Sequence, residues 1–193
     1  ANNGIMREPQ ATIERAPGQW VDEPTWPAPS LPLPVRLGEG TLGLRPVSGT
    51  LSLTDNPALD EDDLVADPNT PVDGRLVFLS APLPVPLRVS GTASVTLRVN
   101  VDRPTTNLSV RLVDYGTADR VNYFGPFGGV IPRDTESCWG ESTATDDACY
   151  VDTVEDVVSS DHAVLTRGWL EASHATSLRR PEPLDPDTWY TMT

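Results

Sequence analysis

The chain has 193 residues, and its 28 acidic and 14 basic side chains give a formal net charge of −14. Every basic residue except the two histidines is an arginine. A chain this acidic lacks the basic surface that binds nucleic acids and anionic membranes, so we expect neither as a partner. No run approaches about 20 apolar residues, so we expect no transmembrane helix. The length suits one domain.

The first 40 residues predict a proline-rich, extended lead-in that belongs to the domain. Five prolines lie between positions 24 and 34, and this spacing prevents a helix and favours polyproline-like structure. Residues 1–6 lack the basic and apolar regions of a signal peptide. Because the chain opens on alanine and residues 188–193 are rich in β-formers, we interpret it as a segment of a longer protein.

The remainder, residues 41–193, predicts an all-β domain. Residues 94–101 alternate polar and apolar at every position, which is the period of a half-buried strand. After a turn, Leu108, Val110 and Leu112 repeat the pattern. Further strand candidates are residues 41–44, 50–54, 76–79, 87–90 and 163–170. Short strands with frequent turns and no long helical period favour a β-sandwich.

A long loop is predicted over residues 115–161, and it contains both cysteines, Cys138 and Cys149. Two cysteines alone do not make a zinc site, and their spacing is not that of a C-x-x-C redox centre. We therefore favour a disulfide that closes a small surface loop, which would indicate an oxidising compartment. The alternative is two separate buried thiols.

No group of residues predicts a catalytic site. Residues 140–144 imitate the start of a nucleophile elbow around Ser142, but neither the strand nor the helix that the elbow needs is predicted there. His162, next to Asp161, and His174 are the two histidines. Neighbouring residues of a strand face opposite sides, so Asp161 is poorly placed to orient His162 as a base. We expect no catalytic residue, no metal and no cofactor in this chain.

Three further patterns bear on binding. The acidic run 60–63, with Asp55 and Asn56 before it, offers oxygen ligands for calcium but lacks the order of the best-known calcium loop. We interpret it as a solvated surface. Residues 107–109 have the form of a glycosylation sequon at the start of a predicted strand. The five tryptophans suit either a sugar-binding platform or core packing.

Several motifs, taken in order, resemble one known family. They are residues 67–71 (DPNTP), 76–83 (LVFLSAPL), 87–97 (LRVSGTASVTL), 108–116 (LSVRLVDYG) and 165–174 (LTRGWLEASH). The series resembles the C-terminal domain of the Xaa-Pro dipeptidyl-peptidases, the family that also includes cocaine esterase and the α-amino-acid ester hydrolases. The segment from Cys138 to Tyr150 is similar to the exported, bacterial-type peptidases. The resemblance covers residues 5–193.

This resemblance implies a jelly-roll β-sandwich, galactose-binding-like, that lacks its last strands. It also implies packing on an α/β-hydrolase catalytic domain of the same protein, in which the serine, aspartate and histidine all precede the jelly roll. That domain would bind the peptide substrate and release X-Pro dipeptides from peptide N-termini, outside the cell. The alternative, from a different class, is a free-standing jelly-roll module that binds a carbohydrate or another ligand.

Overall fold

The computed structural model describes residues 9–193, and they form an almost purely β structure. Strands make up 37% and helix 4%, so the predicted all-β class is confirmed. The strands are β1 (Ala11–Glu14), β2 (Trp20–Glu23), β3 (Arg36–Gly38), β4 (Thr41–Gly43), β5 (Leu97–Asn100), β6 (Asn107–Val121), β7 (Val130–Cys138), β8 (Cys149–Glu155), β9 (Val157–Glu171) and β10 (Trp189–Met192). Helix α1 spans Glu61–Val65, and a 3-10 turn spans Ala172–His174. Residues 1–8 of the predicted lead-in lie outside the described residues.

The strands pair two by two, as β1–β2, β3–β4, β5–β10, β6–β9 and β7–β8. The sheets are antiparallel, as a β-sandwich requires, but the described strands do not close into continuous sheets. No helix within residues 9–193 is both long enough and apolar enough to cross a bilayer.

Three predicted strands do not form. Residues 50–54 and 87–90 have no strand partner in the described part of the chain, and residues 76–79 contribute only a bridge from Leu79 to Thr41. A strand exists only through hydrogen bonds to a neighbour, and the prolines at 82, 84 and 86 remove N–H donors just before residues 87–90. The local sequence pattern of these residues therefore does not by itself produce strand pairing.

Two other segments contain more structure than their sequence predicts. The lead-in contains the β1–β2 hairpin, whose turn includes Gly18 with a φ of 70°. The expected loop at 115–161 contains the end of β6, all of β7 and β8, and the start of β9. Most residues of β7 and β8 are exposed, so they show no alternation of apolar and polar residues from which a strand would be predicted.

The described chain divides into two compact units. Unit 1 comprises residues 9–28 and 115–163, and unit 2 comprises residues 29–114 and 164–193. The core of unit 2 forms around Ala172, Leu184 and Met192, with Val99 and Leu170 among the residues packed against it. The division predicted at residues 40 and 41 stays a prediction.

The core is small for so large a surface. No large side chain among residues 9–193 is completely buried. The chain exposes 15205 Å², whereas two separate compact bodies of half its mass would together expose only about 11,000 Å². Leu31, Leu33, Leu83 and Val85 are among the many aliphatic side chains that face solvent. The chain therefore buries less apolar surface than a self-sufficient domain of its size.

We expect Leu184→Ala to destabilise the protein by about 2–4 kcal/mol, because it removes buried methyl groups and leaves a cavity in the core of unit 2. Leu184 is 5% exposed. Leu178→Ala is the matched control, because Leu178 is 80% exposed and its truncation should change stability by less than about 0.5 kcal/mol. Urea unfolding of the two variants measures the difference, and equal losses would contradict the core assignment.

Candidate functional site

Cys138 and Cys149 form a disulfide in the structure, as the sequence favours. Cys138 ends β7, Cys149 begins β8, and the two residues are paired directly across the hairpin. The loop between them is ordered by its own hydrogen bonds. Trp139 N donates to Ala148 O at 2.8 Å, and Thr143 Oγ1 accepts from Asp146 N at 3.1 Å. The disulfide therefore ties together the ends of a structured hairpin loop.

Ser142 lies in this hairpin loop and is exposed. A nucleophile elbow needs a strand entering and a helix leaving, with the serine at the sharp turn between them. Strand β7 ends four residues before Ser142, and the next element is strand β8, not a helix. The structure therefore places Ser142 in a surface loop without the elements that would make it a nucleophile.

The two histidines have separate local partners. Asp161 accepts a hydrogen bond from Thr117 Oγ1 at 2.8 Å, while the ring of His162 lies 6.0 Å from that of Tyr115. His174 Nδ1 is 2.9 Å from a backbone carbonyl oxygen three residues along the chain. A carbonyl only accepts, so Nδ1 carries the proton and donates it. Among the described residues, no serine hydroxyl is hydrogen-bonded to a histidine ring.

The acidic run 60–63 begins helix α1 instead of forming a loop. Asp60 is the N-cap: its side chain accepts from Asp63 N at 3.0 Å, and the Asp63 side chain accepts from Asp60 N at 3.3 Å. This reciprocal capping satisfies backbone donors, and carboxylates are favourable near a helix N-terminus. Within residues 9–193 no three His, Cys, Asp or Glu side chains are grouped to hold a metal. The interpretation of this run as a solvated surface therefore fits Asp60, Asp62 and Asp63, which are exposed, but not Glu61, which is partly buried.

Glu61, in the first turn of α1, binds two arginines from two different strands. Arg167 of β9 donates from Nε to both carboxylate oxygens at 2.8 Å, and its Nη2 also donates to Oε1. Arg111 of β6 donates from Nε to Oε2. The carboxylate is 25% exposed, Arg111 29% and Arg167 50%. These charge-assisted bonds hold the short helix α1 against the β6–β9 pair.

The two guanidinium groups stabilise the charged form of Glu61. The hydrogen bond from Arg167 is the largest cause, partial burial opposes it, and Arg111 adds to it, so the pKa of Glu61 falls from 4.5 to about 2. The same hydrogen bond raises the pKa of Arg167. The two guanidinium groups thus offset part of the negative charge of the acidic run 60–63.

Sequence reasoning did not find this cluster. Glu61 lies within the acidic run 60–63, and Arg111 and Arg167 lie at polar positions of predicted strands. One weak signal is available: charged side chains on strands are rarely buried unless they are paired. Nothing in the sequence indicates which of the 28 carboxylates that partner is.

All five tryptophans are exposed, yet they do not line a described binding cleft. A cleft of about 270 Å³ in unit 2 lies between Pro104, Glu171 and neighbouring prolines, and one of about 470 Å³ lies around Asn56. Neither has a tryptophan in its wall. The guanidinium of Arg98 lies over the ring of Trp189, 5.2 Å from its centroid, which is a cation–π contact. The Asn107 side chain is also exposed, at the start of β6.

These observations define a β-domain whose ionic and covalent links serve its own structure. The sequence matches, over residues 3–193, the family described as the X-Pro dipeptidyl-peptidase C-terminal non-catalytic domain. The chain belongs to that family, and the resemblance predicted from its motifs is confirmed.

Two relatives illustrate the match. A protein from Streptomyces avermitilis, named "Putative Xaa-Pro dipeptidyl-peptidase", is 37% identical over 199 residues that cover all of this chain and 29% of that protein. A protein of the same name from Bacillus anthracis is 27% identical over 99% of this chain and 26% of its own length. The chain thus spans less than a third of each relative. No solved structure matches it significantly.

We expect Glu61→Gln to destabilise the protein by about 1 kcal/mol at neutral pH, because it removes the ion pairs to the partly buried Arg111 and the exposed Arg167. Asp62→Asn is the matched control, since it makes the same change at the exposed neighbouring position. Chemical denaturation of both variants measures the effect. Equal losses would mean that the cluster does not hold α1.

The pH dependence of stability should change in the same variant. The folded pKa of Glu61 lies below its unfolded value, so its contribution is fully present above pH 4.5 and is lost as the pH falls toward 2. Between those limits the stability of Glu61→Gln should therefore fall less steeply than that of the parent. Denaturation midpoints measured every half unit from pH 3 to 6 test this, and parallel curves would contradict it.

Opening the Cys138–Cys149 disulfide should lower the free energy of unfolding by roughly 2–3 kcal/mol. The bond closes a short loop, with a sequence separation of 11, and so removes only a modest amount of conformational entropy from the unfolded chain. We expect the paired Cys138→Ser and Cys149→Ser variant to unfold at correspondingly lower urea, with Ser142→Ala as a control in the same loop. Reduction should add about 2 Da to the mass of the intact chain, because each sulfur gains one hydrogen. No mass increase would exclude the bond.

Proposed function

We propose that this chain is the non-catalytic β-domain of a serine exopeptidase that removes X-Pro dipeptides from the N-termini of peptides. The observation that carries the proposal is the match to the non-catalytic domain family over residues 3–193. The names of the relatives supply the substrate class, and their greater length leaves room for a catalytic domain.

The catalytic partner in this proposal is an α/β-hydrolase domain of the same polypeptide. Its serine attacks the carbonyl carbon of the proline residue while a histidine takes the serine proton. The histidine then protonates the leaving amine as the peptide bond after proline breaks, and water hydrolyses the acyl-enzyme to release the X-Pro dipeptide. The peptide binds through that domain, so this chain contributes no catalytic residue, metal or cofactor. Its role is to pack on the hydrolase domain, support the loops of the active site and restrict access to the cleft.

The surface of the chain supports a packing role. The excess of exposed area and the absence of a completely buried large side chain among residues 9–193 leave much apolar surface to be covered. Interfaces between domains bury such surface, and the hydrophobic gain is about 25 cal/mol for each Å². A partner domain in the same polypeptide would supply the missing cover.

The Cys138–Cys149 disulfide supports an exported protein. Disulfides persist in oxidising compartments and are rare where thiols are kept reduced. We therefore propose that the protein acts outside the cytoplasm. The carbohydrate-binding alternative has less support, because the exposed tryptophans line neither of the two described clefts.

The test is hydrolysis of Gly-Pro-p-nitroanilide by the full-length polypeptide that contains this chain. We expect release of p-nitroaniline, and none from the N-acetylated substrate, because the enzyme requires a free N-terminus. Ser142→Ala should retain full activity. A fluorophosphonate reagent should label one serine, and peptide mapping should place it outside residues 1–193. Labelling of Ser142, or cleavage of the N-acetylated substrate alone, would overturn the proposal.

A further inference from the structure

The connection between β6 and β7 displays aromatic side chains to solvent. Residues 122–129, with the sequence NYFGPFGG, form what we call the aromatic turn. Tyr123 is 65% exposed, Phe124 87% and Phe127 60%. The aromatic turn contains no charged residue, although the whole chain has a net charge of −14. Three exposed aromatic rings thus lie within eight residues, and exposed apolar surface of this kind often marks an interaction site.

The base of the aromatic turn is fixed to the segment between β8 and β9. Asn122 N donates to Asp156 O at 2.7 Å, and Asn122 Nδ2 donates to Asp156 Oδ2 at 2.9 Å. Asp156 N in turn donates to Gly129 O at 2.9 Å. Both ends of the turn are therefore held by one residue, and these bonds are partly shielded from solvent.

The interior of the aromatic turn is tight as well. Gly125 N donates to Asn122 O and Gly128 N to Gly125 O, each at 3.1 Å. A Cβ on Gly125 would lie 2.7 Å from Asp156 Oδ2. Gly129 is buried with a φ of 97°, and a Cβ there would lie 3.1 Å from the Tyr123 ring. A larger residue at either position would press on the Asn122 and Asp156 side chains or on the Tyr123 ring, and it is the hydrogen bonds of Asn122 and Asp156 that fix the turn.

A rigid backbone that exposes large aromatic rings has the properties of a binding surface. Phenylalanine and tyrosine bury 150–250 Å² each when they are covered, with few rotatable bonds to order, as general values for these residues. Aromatic side chains at the centre of interfaces carry much of the binding energy. The ordering cost of binding is low because the turn is already fixed by Asn122 and Asp156.

We infer that the aromatic turn is a docking element for the catalytic domain of the same polypeptide, with Phe124 as its central anchor. This inference rests on the proposed function. About seven tenths of each relative's length lies outside the region matched by this chain, which is enough for a domain that could cover the turn in the proposed polypeptide. The partner surface is an apolar pocket and not a charged patch, because the turn has no charge to offer it.

The first test is hydroxyl-radical footprinting of the native full-length polypeptide, read by mass spectrometry. We expect Phe124 and Phe127 to be oxidised at least about tenfold more slowly in the native protein than in the urea-unfolded protein. Exposed rings would be oxidised at rates within about twofold of the unfolded rates, and that result would overturn the inference. The measurement requires no substitution and no enzymatic activity.

Footprinting also distinguishes other occupants of the aromatic turn. Protection that vanishes on dilution would indicate a second copy of the chain, and protection that appears only with an X-Pro peptide would indicate substrate. Either result would overturn docking to the catalytic domain. If the turn is protected but the polypeptide does not cleave Gly-Pro-p-nitroanilide, the docking inference stands and the proposed function is refuted. If the polypeptide cleaves the substrate but the turn is exposed, the proposed function stands and the docking inference is refuted.

A substitution tests the anchor itself. Phe124→Ala in the full-length polypeptide should increase oxidation of Phe127 several-fold, while Phe124→Leu should restore most of the protection. Leu178→Ala is the matched control, because it truncates an equally exposed apolar side chain outside the turn. Circular dichroism checks that the variants fold. If Phe127 is oxidised at the same rate in the Phe124→Ala variant and in the Leu178→Ala variant, Phe124 is not the anchor and the inference is wrong.

Discussion

The pairing of β6 with β9 is the constraint on which both the Glu61 ion cluster and the aromatic turn depend. It brings Arg111 and Arg167, which are 56 positions apart, onto the same carboxylate of Glu61. Near the other ends of the same strands, Asn122 follows β6 and Asp156 precedes β9, and their hydrogen bonds fix the turn between them. If this pair did not form, neither the ion cluster nor the rigid turn would exist.

The segment between these two strands helps them to meet. Bringing together strands that are distant in sequence costs loop-closure entropy, which grows with the length of free chain between them. Here that chain is folded back on itself as the β7–β8 hairpin and is closed by the Cys138–Cys149 disulfide. The hairpin therefore shortens the effective loop between β6 and β9, although it buries little itself.

Most of the fold class, but less of the pairing, could be predicted from sequence. Where one strand face is half-buried, as around Val99 and Leu108, alternation of apolar and polar residues marked the strands. Where both faces are exposed, as in β7, no periodic signal exists and the strand was missed. Pairing depends on residues that are distant in sequence. Residues 50–54 therefore have the alternating pattern of a strand, although no described neighbour pairs with them as a strand. Likewise the partners of Glu61 depend on which strands meet, which local patterns do not encode.

The paired cysteines have a consequence for how the hairpin tolerates cleavage. The exposed residues between them, 139–147, are the kind of surface loop that proteases nick and that accepts inserted sequence. Because Cys138 and Cys149 sit at the facing ends of β7 and β8, a cut anywhere in that loop leaves both strands covalently joined and in register. A chain cut in this loop would therefore behave as one molecule in solution and separate into two fragments only after reduction of the disulfide.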